Sequence, residues 1–522
     1  MHKAPIGRRA MLAAAASLAA PTIARAARAD ELVFAPVSDL TGTDPLFSAT
    51  DVTTHHVGLV FETLFGMDAT LTPQPQLLAG ALVEDDGRRW RLTLRPDARF
   101  HDGEPVRAED AVASIRAWGK LDVFGRKLMD VTDALEAVSD RELQFRLKKP
   151  FPLLAHALAK PASLHPAIMP KRVAEIAGSG KPIDVIGSGP YRYLAEERVS
   201  GVRVAYARFD RYVPRQEPLS YMAGGRVGHF PRITWTVIPD PATAAASLQK
   251  GEIDWIHDLP PDLAPLLRRD KGSVVQIQDF IGGEIYLRFN CLHPPFDNPA
   301  VRRAVLAGID QSSFMQAAIG DDRALWRVPV GVWSLGKPMS TDAGLDAMAG
   351  DLNKAKRLLA AAGYGGETVV LLQPVDYPML SAAAEVAADL LKRIGMKVDM
   401  IPMSYAVANQ RRNNRNPPAQ GGWSVGFGPF NGYNRYDPAA HLGISSSFAG
   451  WPQIPEIEAL REQWFDAPDL PARQAIARRI QELVWRDVPY IPLGSFFPLT
   501  AYRQGLTGIQ RGGAIFFGVT RA

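Results

Sequence analysis

The sequence predicts an α/β protein of two lobes, with a smaller α+β block inserted into the first. Three observations carry this expectation. Strand-like and helix-like stretches alternate along most of the chain, as in layered sheets covered by helices. The 522 residues exceed what one hydrophobic core usually organises. Hairpin signals between residues 71 and 187 interrupt the alternation, and Gly187-Ser188-Gly189-Pro190 closes the interruption.

Leu32 to Pro36 reads as a first strand, and Val52 to Phe65 as a helix with Val57, Val60, Phe61 and Leu64 on one side. Within the insertion, residues 82–100 read as a hairpin turning at Asp85-Asp86-Gly87. Residues 108–118 read as a helix, and 135–138 with 143–147 as paired strands. Strands follow at 191–194, 202–206, 233–238 and 253–256, with a helix at 242–249. The strand at 285–290 is placed at the crossing into the second lobe.

That lobe has clear helix punctuation. Asn298-Pro299 is an N-cap with proline in the first turn. Asp351 caps a helix that stops at Gly363, and residues 379–394 form another that stops at Gly395. Residues 396–401 alternate as a strand, 405–450 read as irregular, and 455–465 and 470–487 as helices. The expected division is lobe I at 30–70, 188–280 and 495–522, the insertion at 71–187, and lobe II at 281–494.

Residues 1–29 read as an export signal. Arg8-Arg9 precedes an Ala-rich apolar run, and Ala27-Arg28-Ala29 offers a cleavage site. The paired arginines and mild apolar run fit the twin-arginine route, with general secretion as the alternative. No cysteine follows the run, so a lipid anchor of the lipoprotein kind is not expected, and the product should be periplasmic. Five of the 59 Lys and Arg residues lie in this leader, which has no acid; the remainder carries 54 against 55 acids, net −1. No basic face for nucleic acid is implied. The single cysteine, Cys291, rules out an internal disulfide.

Catalytic patterns are weak. Ile186-Gly187-Ser188-Gly189 lacks the leading glycine of a nucleophile elbow. Adjacent His55 and His56 point about 100° apart on a helix and cannot share a metal. No cofactor or metal motif occurs, and no enzyme activity is expected. A secreted hydrolase is the rival of another class; it would need a nucleophile and an acid/base partner.

Four ordered segments resemble the extracytoplasmic solute-binding proteins of family 5, the receptors for peptides, nickel chelates and related solutes in ABC importers. They are Leu77 to Leu82 through Trp90-Arg91-Leu92 to Phe100-His101-Asp102-Gly103 and Ala108 to Val112; Gly187 to Tyr191; Phe289-Asn290 through Pro294-Pro295-Phe296-Asp297 to Ile309-Asp310; and Ala355 to Leu359 with Ala362-Gly363-Tyr364. The resemblance implies a two-lobed periplasmic binding protein fold (type II, cluster C-like) that grips a peptide-like solute between closing lobes. It implies membrane permease subunits as partners, with the receptor acting as a monomer. A non-peptide solute such as a sugar, opine or metal chelate is the alternative within this fold. A sensor or chaperone role would change only the output.

The resemblance places part of the ligand site near Trp423. Peptide-binding members read Trp-x-x-Asp there, the Asp pairing with the peptide ammonium; here the stretch is Trp423-Ser424-Val425-Gly426. Either the solute lacks that cation or another acid serves, for which Asp437 is a candidate beside its plain reading as a turn cap before Pro438. Trp423, Phe427 and Tyr433 are expected to line the cleft, with Trp333 and Tyr286 as further candidates. Thr43, Phe47, Asp51 and Thr54 lie where the first strand meets the first helix, where α/β sheets favour ligands; capping is equally open for each.

Overall fold

The computed structural model describes residues 30–47, 50–161 and 164–522, so the export segment 1–29 lies outside the described residues. Among these, the strands form two large sheets and a four-stranded one, besides two small strand pairs. The seven-stranded sheet of lobe I runs 273–277, 499–503, 255–259, 31–35, 232–236, 203–208, 191–193. Its first strand, Glu31–Ala35, is parallel to both neighbours, and Phe34 packs edge-on against Trp255 and Phe516 at 5.2 and 4.9 Å.

The six-stranded sheet of lobe II runs 326–327, 490–496, 283–289, 425–431, 368–374, 397–403. Its helices form where the punctuation placed them. The Asn298 side chain accepts the N–H of Ala300 to start Pro299–Ala307. Asp351 accepts from Lys354 to start Leu352–Ala361. Gly395 takes φ 107°, which a side chain would resist, and ends Pro378–Ile394.

The insertion is a four-stranded antiparallel sheet, ordered 78–84, 89–94, 142–147, 132–137, backed by the helix Ala108–Leu121. A further helix there, Val123–Val131, capped by Asp122, was not anticipated.

Two expectations need correction. The first helix is Asp51–Val60, not 52–65: Phe61 turns extended, its N–H bonding the Val57 carbonyl, and Phe65–Met67 pairs as a strand with Pro73–Pro75. The stretch 405–450 is not irregular throughout. It contains the helix Tyr405–Arg412 and the interior strand Val425–Asn431. That strand, VGFGPFN, holds two glycines and a proline, so its local preference is poor; pairing with Gly283–Phe289 along seven residues overrides it.

A cleft between two lobes

Two segments join the large sheets. The first is 278–282, between strands Ser273–Ile277 and Gly283–Phe289; the second is 497–498, between Tyr490–Phe496 and Leu499–Arg503. They run side by side, the Gln278 N–H bonding the Pro498 carbonyl at 2.9 Å. The strand read at 285–290 as the crossing is instead paired with Tyr490–Phe496 inside the lobe II sheet. Two adjacent short connections are the construction of a hinge.

Three carboxylates of lobe I lie close to lobe II side chains, Asp51 to Asn431, Asp258 to Tyr377 and Asp279 to Lys337. Asp51 opens the helix Asp51–Val60, Asp258 is near the end of Trp255–Leu259, and Asp279 lies in the first crossing segment. Asp51 and Asp258 are exposed and Asp279 is partly so. Yet crowding raises all three: burial pushes Asp258 and Asp279 up to about 6, with the Asp51 charge adding to both. Burial also raises Asp51, against the pull of the Asn431 side chain from lobe II. A carboxyl that water reaches but cannot fully solvate stands in a recess. Lys337 of lobe II partly offsets Asp279 and lies 4.8 Å from the ring of Phe280.

The lobe II wall is built from tyrosines and one arginine. The rings of Tyr377 and Tyr405 meet edge-on at 5.3 Å, both half-buried, and Tyr377 feels the charges of Asp258 and Asp51 across the gap. Beyond them Arg412, 8 % exposed, ends the helix Tyr405–Arg412. Its Nη1 donates to the Tyr286 hydroxyl and the Phe427 carbonyl, each at 2.9 Å, and its Nη2 bonds Asn409. Burial pushes the Tyr405 hydroxyl up, and the nearby Arg412 charge and Asn409 side chain oppose that rise. The arginine lies across Gly426: a Cβ there would stand 2.9 Å from Arg412 Cδ. Likewise a Cβ at Gly428 would overlap the Tyr286 hydroxyl. These glycines make the room that Arg412 and Tyr286 occupy.

Comparison with known proteins decides the family. The profile of the bacterial extracellular solute-binding proteins, family 5 (middle), matches residues 72–444. A probable peptide ABC transporter periplasmic-binding protein, y4tO, of Sinorhizobium fredii is 33% identical over 512 residues, 96% of each chain. This chain belongs to family 5 of the extracellular solute-binding proteins. The glutathione-binding protein GsiB of Pectobacterium atrosepticum is 26% identical over 532 residues, again 96% of each. The fold also matches that of the periplasmic binding protein DppA of Helicobacter pylori, solved with a peptide, at TM-score 0.76 and 19% identity over 94% and 98% of the two chains. NikA of Brucella suis, solved with Fe(III)-EDTA, matches at TM-score 0.76 and 21% identity over 94% and 100%.

Within this family 5 receptor the sequence-selected aromatics do not form one surface; the structure divides them. Tyr286 is at the wall, 2 % exposed, stacked on Phe430 at 4.2 Å and bonded to Arg412. Trp423 is fully buried behind it, among Val370, Leu372, Ala408 and Trp451. Phe427, 1 % exposed, sits in the lobe's main core. Tyr433 and Tyr436 stack on each other at 5.7 Å. Trp333 is buried, its indole bonded to the Ala477 carbonyl at 3.0 Å. These side chains are apolar enough to be drawn inside.

Asp437 is 4 % exposed and caps a turn, accepting the Ala440 N–H at 2.8 Å; burial pushes its carboxyl up to about 6. Thr54 borders a cavity of about 40 Å³ with His55, Pro161 and Ala514, too small for a solute. A larger hollow of about 560 Å³, lined by Met339, Thr341, Leu345, Gln474 and Arg478, lies wholly in lobe II, where the other lobe has no part in it. His55 accepts the Ala514 N–H and His56 bonds the Tyr206 hydroxyl, so the adjacent histidines serve different partners. Burial holds both well below the usual histidine range.

Sequence reasoning missed Arg412, Asp258 and Asp279. Arginine late in a polar helix reads as surface. The one available signal was Gly426, a glycine where a charged residue was expected, which leaves space for another side chain.

Proposed function

We propose that this chain is the exported, periplasmic receptor of an ABC importer, and that it takes a peptide or peptide-like solute between its lobes and hands it unaltered to membrane permease subunits. The observation that carries this is the pair of adjacent crossing segments, 278–282 and 497–498, which run side by side between the two large sheets. The family and the likeness to the peptide-transporter relative support it. Open and closed arrangements exchange about the hinge; a solute touching both walls favours the closed one by its differential affinity, and that form docks on the permease. The receptor works as a monomer, with lobe I at 30–70, 188–280 and 495–522, the insertion at 71–187, and lobe II at 281–494. Residues 1–29 direct export by the twin-arginine route.

Calorimetry of residues 30–522 with a graded set of di- to pentapeptides tests the reading. Saturable 1:1 binding to members of the set is expected. Heat-silent titrations throughout, together with an unchanged scattering profile, would remove the peptide assignment. A second reading, a non-peptide solute, draws on Gly426: the side chain expected to receive a peptide ammonium is absent, and a cation lies across its place.

A further inference from the structure

We propose that Lys160 is a positioning residue for lobe closure: a buried cation of the insertion that acts on Asp437 of lobe II, latches the two together and strengthens the grip on every solute alike. The inference rests on the receptor reading and gives the insertion a part in it.

The first ground is mechanical. The insertion is fastened to lobe I. The Gly178 N–H donates to the Asp44 carboxylate at 2.7 Å, and the His101 ring bonds the Gly189 carbonyl at 2.9 Å. Arg215 donates to the Leu78 carbonyl at 2.7 Å. The insertion therefore moves with lobe I when the crossing segments bend. Such a rotation must part or slide the face that the insertion shares with lobe II.

The second ground is the charge buried at that face. Lys160 and Asp122 are both buried and pair with each other. The other oxygen of Asp122 accepts the N–H groups of Phe124 and Gly125, at 2.9 and 3.3 Å. Phe124 in turn meets Phe465 of lobe II. Asp437 is buried on the lobe II side, and Lys160 lowers its pKa more than Arg461 of its own lobe does. The Asp122 charge reaches Tyr433 of lobe II, and the charge of Arg473 of lobe II reaches His156 of the insertion. One ammonium thus serves a carboxylate from each body. Parting the bodies takes the cation from Asp437, and stranding one member of a desolvated set is costly. The exposed pairs beside it, Lys127 with Glu462 and Lys149 with Asp466, lack that leverage.

A latch of this kind does not read the solute. It changes the share of closed protein, and apparent affinity scales with that share.

The test uses residues 30–522 at pH 8, where Asp437 is ionised, as wild type, Lys160→Gln, Lys160→Arg, Asp437→Asn and the Gln/Asn double variant. Small-angle scattering without solute should show a larger radius of gyration for Lys160→Gln and a wild-type radius for Lys160→Arg. In the Asp437→Asn background, Lys160→Gln should add little, because the two residues act as one unit. Calorimetry with dialanine, trialanine and glutathione should show Lys160→Gln weakened about fivefold or more, by the same factor for each probe that binds. A wild-type radius for Lys160→Gln, an undiminished effect without Asp437, or a loss confined to one probe would overturn the latch and leave the receptor standing. If no probe binds, the peptide assignment falls while scattering still decides about the latch. Should Lys160→Gln not fold, Asp437→Asn decides in its place: a larger radius supports the latch, and a lower melting temperature with a wild-type radius overturns it.

Discussion

The Trp423 indole donates its N–H to the Arg412 carbonyl at 3.0 Å. That carbonyl belongs to the last turn of Tyr405–Arg412, where helical partners run out, so the indole satisfies an otherwise orphaned acceptor. Trp423 thereby fixes the end of the helix from which Arg412 reaches the cleft.

Trp423→Ala should therefore cost about 3–5 kcal/mol of stability from the cavity alone. Trp423→Phe retains most of the packing and should lose about 1 kcal/mol for the hydrogen bond. Urea unfolding of the two variants checks both values. A loss under 1 kcal/mol for the alanine variant would mean the indole is not packed as described.

Gly428 lies beneath the Tyr286 ring, where an added Cβ would overlap the hydroxyl. Gly428→Ala should displace Tyr286 from Arg412 and destabilise by about 1–3 kcal/mol through overpacking. Gly80, with open space around its own Cβ position, provides the control: Gly80→Ala should be mild by comparison. Denaturation midpoints of the two variants measure the difference.

The carboxylates of the lobe I wall give a pH signature. Burial raises Asp258 and Asp279 to about 6, above their unfolded value near 3.8, so the folded state binds protons more readily. Their contribution is favourable at low pH and is lost as pH rises from about 4 to about 6. Asp258→Asn should raise the melting temperature at pH 7 and have much less effect at pH 4. The same gain at both pH values would show that the crowding is absent. A gain at pH 7 would also mark the acid as retained for something other than stability.

The insertion touches lobe II through Phe465, which meets Phe124 edge-on at 5.3 Å and stacks on Phe151 at 6.3 Å. Beside it Lys127 pairs with Glu462, and Lys149 with Asp466 at 2.6 Å. The ion pairs are largely exposed and worth about 0–1 kcal/mol each. The aromatic contact should dominate. Phe465→Ala should populate a more open form, seen as a larger radius of gyration in small-angle scattering, whereas Lys149→Ala should leave the radius unchanged.

Much of the architecture was legible because local chemistry and tertiary structure agreed. Asn298, Asp351 and Gly395 punctuate helices where the side chain or the left-handed backbone demands it. Legibility failed where tertiary pairing overrode local preference. Nothing in VGFGPFN advertises a strand, because its glycines serve Arg412 and Tyr286, and its pairing partner Gly283–Phe289 lies about 140 residues away. The cleft was harder still. Trp423 and Phe427 stood out by composition but are interior, while Arg412, Asp258 and Asp279 matter through which side chains face them across a gap between distant segments.

The central claim is that two lobes grip a solute and release it unchanged. Native mass spectrometry of the protein purified without denaturation and then incubated with the di- to pentapeptide set tests this most directly. The account predicts one small molecule per chain, recovered on mild denaturation with its mass intact. A chain that retains nothing from the set, or that returns the solute with an altered mass, would contradict it.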